Sequence, residues 1–146
     1  MNSAPPSYTP HAQAALAIAR TEAESDGTTA MFPEHLLRAL LNLPYCGAVG
    51  VLMRCGLSSE TIGRELQGDA GRGKTDPDGS LTYGARKVLA LAEQATSKTG
   101  PLRTCVRTEH ILLGLLLEGD SLPAQVLRKH GLTPQVVLEA IASADV

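Results

Sequence analysis

Apolar residues in this chain recur every three or four positions rather than every second one, the spacing of helices that bury one face. Ala12, Ala15, Leu16, Ala19 and Ala23 form the first series, opened by Thr9-Pro10 and broken at Asp26-Gly27. The threonine hydroxyl can accept an orphan backbone N–H there, and proline at the first helical position gives up no donor the helix needs. Pro33 opens a second helix in which Leu36, Leu37, Leu40 and Leu41 come in adjacent pairs, the mark of a segment packed on more than one side, and Pro44 ends it. A third helix over residues 48–54 stops at Gly56-Leu57, where glycine takes the left-handed cap conformation and leucine folds back on the last turn. Ser58 caps a fourth, over residues 60–66.

The same order then returns. Thr82 caps residues 83–97, Thr108 caps 109–117, Ser121 precedes 122–130 with its own Gly131-Leu132 stop, and Thr133-Pro134 opens 135–142. Residues 32–41 (Phe-Pro-Glu-His-Leu-Leu-Arg-Ala-Leu-Leu) reappear 75 positions later as residues 107–116 (Arg-Thr-Glu-His-Ile-Leu-Leu-Gly-Leu-Leu), and residues 52–57 reappear at the same offset as 127–132. A duplication that keeps its phase means one supersecondary unit used twice. The expected fold is therefore all-α, with eight helices as two pseudo-symmetric four-helix repeats forming one domain. Residues 1–7 read as a disordered tail, 8–66 as the first repeat, 67–80 as an exposed linker and 81–143 as the second repeat. Thr9 to Glu34 spans 25 positions and Thr82 to Glu109 spans 27, which places the insertion in the connection 99–105.

Composition agrees with helices. Hydrophobic residues make up 43% of the 146, yet one Phe, three Tyr and no Trp supply the aromatic mass, so Leu, Ala, Val and Ile fill the core. Thirteen basic residues against 15 acidic ones give a net charge of −2, which provides no field for a nucleic acid partner. The apolar run 111–117 is interrupted by Gly114 and falls far below the roughly 20 residues of a membrane span, so no membrane partner is expected. Cys46, Cys55 and Cys105 are an odd number without paired spacing and no basic-then-apolar leader opens the chain, which points to a reduced cytoplasmic setting.

Residues 68–75 match the phosphate-loop pattern G-x-x-x-x-G-K-[ST] letter for letter. That loop works only between a strand and a helix N-terminus; here a helix end precedes it and Asp-Pro-Asp-Gly follows Thr75. It reads as a glycine-rich linker, and a nucleotide-binding enzyme is the weakest of the functional readings. His35 and His110 occupy equivalent positions, but no H-x-x-x-H or C-x-x-C spacing supports a metal, and the pair fits a shared structural duty such as bonding to a neighbouring helix. No nucleophile elbow occurs either, so the chain is read as a non-enzyme that needs no cofactor. Glu34 and Glu109 are more informative. Each sits in the first turn of a leucine-rich helix, where a carboxylate complements the helix dipole, and each is also placed to meet a cation such as a guanidinium.

Residues 107–119 (Arg-Thr-Glu-His-Ile-Leu-Leu-Gly-Leu-Leu-Leu-Glu-Gly), with Ala124-Gln-Val-Leu127, Gly131-Leu132 and the helix 81–92, resemble the Clp N-terminal repeat domain that fronts ClpC, ClpA and ClpB type AAA+ unfoldases and also occurs free-standing. The resemblance covers residues 8–142 and implies a domain that binds substrate or adaptor proteins for an unfoldase working with the ClpP peptidase. In the ClpC branch it also implies a reader of phosphorylated arginine. Carried over, the ligand-binding set is Glu109 with Thr108 beside it, Thr82 as a further hydroxyl, and Glu34 and Thr9. Pro33 replaces Thr at the first motif, removing a hydroxyl and an N–H, so the second site is the better kept. The 146 residues include no ATPase module, so the chain is expected to act as a piece of a longer unfoldase or as a free-standing relative, the alternative role being an accessory subunit that regulates assembly of a ClpP or unfoldase complex.

Overall fold

The structure is a computed structural model that describes residues 8–25, 27, 31–43, 46–66, 83–99, 105–119 and 121–144. The expected tail 1–7, the linker 67–80 with its phosphate-loop match, Thr82 and most of the insertion 99–105 lie outside them. Among the described residues there are eight helices: α1 (Pro10–Ser25), α2 (Pro33–Leu41), α3 (Gly47–Arg54), α4 (Ser59–Leu66), α5 (Tyr83–Thr99), α6 (Thr108–Glu118), α7 (Leu122–Lys129) and α8 (Pro134–Ala144). They form the two four-helix repeats that the sequence pattern implies. Several ends differ by one or two residues from the expected ones, as helix termini do.

α6 is the centre of the packing. Ile111, Leu112, Leu113, Leu115 and Leu116 point to different sides of the helix and all are buried. A helix so largely apolar must be covered on most of its surface, and α6 is, by α1, α2, α3, α5, α7 and α8, with only Leu117 of its large apolar residues exposed. Gly114 sets its distance from α5: a Cβ there would overlap the Val88 carbonyl and stand 3.2 Å from the Ala92 amide. The partner helix contributes a small-residue stripe, Ala85, Val88, Ala92 and Ala95, all buried. In the first repeat α1 lays the matching stripe Ala12, Ala15, Ala19 and Ala23 against α2. There the position equivalent to Gly114 is Ala39 and that of Leu113 is Arg38, whose guanidinium lies 3.6 Å from Glu22.

The helix stops are those the glycines announce. Leu57 N donates to Leu52 O and Leu132 N to Leu127 O at 2.9 and 3.0 Å, while Gly56 and Gly131 take φ of 77° and 90°. These are paired Schellman closures. Ser58 Oγ accepts from Glu60 N at 3.1 Å, and Thr133 Oγ1 from Val136 N at 3.3 Å, as capping residues should.

The repeats are tied across their boundary. Thr9 N donates to Val106 O at 3.0 Å within an isolated parallel bridge between Tyr8 and Val106, which lays the entry to α1 beside the entry to α6. The Tyr8 hydroxyl donates to Glu93 Oε2 at 2.7 Å; burial, reinforced by that carboxylate, pushes its ionisation well above the ordinary phenol range. At the other end α4 meets α7, where Glu65 accepts from Lys129 Nζ at 3.1 Å and pairs with His130 Nε2 at 2.6 Å. The hydrogen bond from His130, then that from Lys129, holds the Glu65 carboxyl below the usual carboxylate range.

Candidate functional site: three helix starts around Glu109

α6 does not begin as the sequence suggests. Thr108 is already helical, and the residue at the cap is Arg107, in extended conformation at φ −102° and ψ 171°. Its N–H donates to His110 Nδ1 at 2.9 Å, so the histidine one turn in reaches back to satisfy the cap amide. Phe32 (φ −104°, ψ 162°) and His35 do the same at α2, again at 2.9 Å. An Nδ1 that accepts from an amide carries no proton itself. The two histidines therefore share a structural duty, as their equivalence implies: each closes the start of its own helix.

Because the helix starts one residue earlier, with His110 N and Ile111 N donating to Arg107 O, Thr108 does not cap and its hydroxyl serves a longer-range task. Its hydroxyl accepts from Ala48 N, at the start of α3, at 3.1 Å and donates to Glu109 Oε1 at 3.3 Å. One hydroxyl thus links the backbone of the first repeat to a carboxylate of the second. Thr108 is 2% exposed and Glu109 9%. The carboxylate lies directly on Gly47, in the space that a Cβ at that position would fill.

A cavity of about 240 Å³ opens beside it, lined by Thr9, His11, Gly47, Arg107, Thr108 and Glu109. These residues belong to the first turns of α1, α3 and α6 or to the residues just before them. Helix N-termini present unpaired N–H groups and partial positive charge, so the cavity combines anion-attracting backbone with the Arg107 side chain and one carboxylate. It suits a ligand that carries negative and positive charge side by side.

Of the residues singled out from sequence, Thr9, Thr108 and Glu109 come together here. Thr9 also caps α1, its Oγ1 accepting from Ala12 N at 3.2 Å. Glu34 is not among the lining residues; it is 3% exposed at the start of α2. His11, Gly47, Ala48 and Arg107 are additions that sequence reasoning missed. The signal available was the duplication itself: Gly47 and Ala48 correspond at the 75-residue offset to Leu122 and Pro123. No group of three or more His, Cys, Asp or Glu suited to a metal occurs among the described residues. None of the described helices is long and apolar enough to cross a membrane.

The architecture defines a duplicated all-helical repeat domain with a polar cavity at converging helix starts. Residues 7–130 match the Clp repeat (R) N-terminal domain, and the chain belongs to that family. It is 35% identical over 144 residues to the negative regulator of genetic competence ClpC/MecB of Bacillus subtilis (strain 168), covering 94% of this chain and 17% of that protein. A chaperone protein ClpB of Oceanobacillus iheyensis is 34% identical over the same length, with the same coverage. The chain thus spans about one sixth of the length of these curated relatives, 17% in both cases. Among solved structures, the Hsp104 N-terminal domain of Candida albicans shares the fold with a TM-score of 0.71 at 17% identity, covering 95% of this chain and 91% of that one. The N-terminal domain of the ClpD chaperone of Arabidopsis thaliana does so with a TM-score of 0.67 at 18% identity, covering 94% and 93%.

Proposed function

We propose that this chain is a non-catalytic recognition domain that binds client or adaptor proteins for a Clp unfoldase, and that the Glu109 cavity takes phosphorylated arginine side chains on them. The observation that carries this reading is the position of one carboxylate among the first turns of α1, α3 and α6. A phosphoarginine presents a guanidinium to the carboxylate and a phosphoryl group to the helix starts and Arg107, matching both charges of the cavity. Family membership supports the broader part, since the relatives are ClpC and ClpB chains of which this domain is a portion. Thr108, with its hydroxyl turned to Ala48 and Glu109, acts here by orienting the carboxylate.

Calorimetric titration with a short peptide carrying one phosphoarginine is the test, against the same peptide with unmodified arginine. Glu109→Ala should weaken binding by about 1.5–3 kcal/mol, the range for a hydrogen bond to a charged group, with helicity unchanged by circular dichroism. Equal binding of the two peptides, or full binding by Glu109→Ala, would refute the reading.

A further inference from the structure

Far from the Glu109 cavity, the last turn of α1, the end of α2 and α4 enclose an open groove of about 760 Å³, lined among others by Glu22, Arg38, Leu41, Asn42 and Gly63. Along α1 alone, His11 and Glu22 are about 16 Å apart. The second repeat fills the equivalent place. Its counterparts of Glu22, Arg38 and Gly63 are Ala95, Leu113 and Leu138, of which the first two are buried and the third packs on the core. One backbone plan thus carries an apolar cluster in one repeat and a carboxylate, a guanidinium and a bare glycine in the other. A Cβ at Gly63 would stand 3.8 Å from Leu41 Cδ1, so the groove has room there for a side chain. Arg38 is the least exposed charge of the groove: its side chain is 20% exposed and that of Glu22 33%, while Glu60 and Arg64 are exposed. A charge at a core position costs stability that a leucine would not. The guanidinium stands 3.6 Å from Glu22 Oε1, beyond the about 2.7–2.9 Å of a charge-assisted hydrogen bond, and its five N–H donors allow it to serve Glu22 and an arriving acceptor together. Asn42 and Ser59 add neutral groups that suit a peptide backbone.

We infer that this groove is a second protein-binding site, which takes a peptide segment that presents a carboxylate to Arg38, from an acidic side chain or a free chain terminus. Arg38 holds the carboxylate, Arg64 adds a second cation beside it, and Gly63 leaves room for the segment. The groove shares no lining residue with the Glu109 cavity, so the inference stands independently of the phosphoarginine reading.

Titration of three short peptides into the isotope-labelled chain, followed by amide NMR shifts, is the test. One peptide carries glutamates between blocked ends, one is uncharged with a free C-terminal carboxylate, and one is the glutamine counterpart of the first. The amides of Asn42, Ser59 and Gly63 should move with the first peptide if side chains are read and with the second if termini are, either result supporting the site, and should stay in place with the third. Arg38→Leu and Gly63→Leu, each installing the residue that the other repeat carries, should weaken binding at least about tenfold without lowering the melting temperature, whereas Arg54→Leu, on α3 and outside the groove, should bind as wild type. Wild-type affinity in either groove variant, equal shifts from the glutamine peptide, or no shift from either carboxylate peptide at millimolar concentration overturns the inference. Phosphoarginine binding should be the same in the groove variants as in wild type, and its absence from wild type would sink only the reading of the Glu109 cavity.

Discussion

α6 begins with Thr108 and Glu109 against the glycine and alanine that start α3, while α2 begins with Pro33 and Glu34 in a repeat whose corresponding partners are Leu122 and Pro123. The same backbone plan therefore carries a polar relay on one side and two prolines on the other. Such paired replacement is what physical chemistry favours. A buried N–H deprived of its acceptor costs about 1–3 kcal/mol, whereas removing donor and acceptor together is close to neutral. The glutamates persist in both repeats because each lies at a helix start, where the dipole favours it whatever else the site does. The two histidines persist for a local reason as well, since each closes the cap of its own helix.

The difference in packing between the repeats should give the largest measurable contrast. Gly114→Ala forces a methyl into the Val88 carbonyl and is expected to destabilise by about 1–3 kcal/mol or more through overpacking. The equivalent substitution in the first repeat, Ala39→Gly, should cost about 1–2 kcal/mol, the glycine penalty in a helix plus the loss of one buried methyl. Chemical denaturation of both variants checks this, and a Gly114→Ala variant as stable as wild type would mean that α5 and α6 separate readily to admit the methyl.

Thr108→Val tests the polar relay. It strands the Ala48 amide and should cost about 1–3 kcal/mol in stability. Pro33→Ala, which touches the side without the relay, should lower stability by less, and a larger loss there would break the asymmetry. His110→Ala and His35→Ala probe what the repeats share. Each removes the acceptor of one cap amide, about 0.5–2 kcal/mol by comparison with other capping residues, and the two melting temperatures should fall by similar amounts.

The smallest effect belongs to Glu65, whose ion pairs with Lys129 and His130 join α4 to α7. Its folded carboxyl is held below the usual range, so the contribution is present above that range and is lost as pH falls through the lowered folded value. Wild type should lose stability in acid slightly more steeply than Glu65→Gln, and the gap should close in high salt because an exposed pair is screened. Overlapping pH profiles at low salt would remove Glu65 from the account.

The periodicity of alanines and leucines, the prolines that open helices and the Gly-Leu stops determine this fold from the sequence, because each acts through neighbours three to five positions away. The duplication is legible for the same reason, and it places Glu34 and Glu109 as equivalents. What the sequence could not show is that Thr108 lies inside its helix: a threonine before Glu looks like a cap, and only the start at Arg107, whose carbonyl accepts from the His110 and Ile111 amides, frees its hydroxyl. Nor could it show where that hydroxyl goes. Its partner, Ala48, is 60 positions away, and the carboxylate rests on Gly47 because α3 and α6 meet by their starts. Local spacing sets which groups a helix carries. Which helix start faces which is decided by burying α6 among six other helices, and that choice alone brings a glycine, a relay and a carboxylate into one cavity.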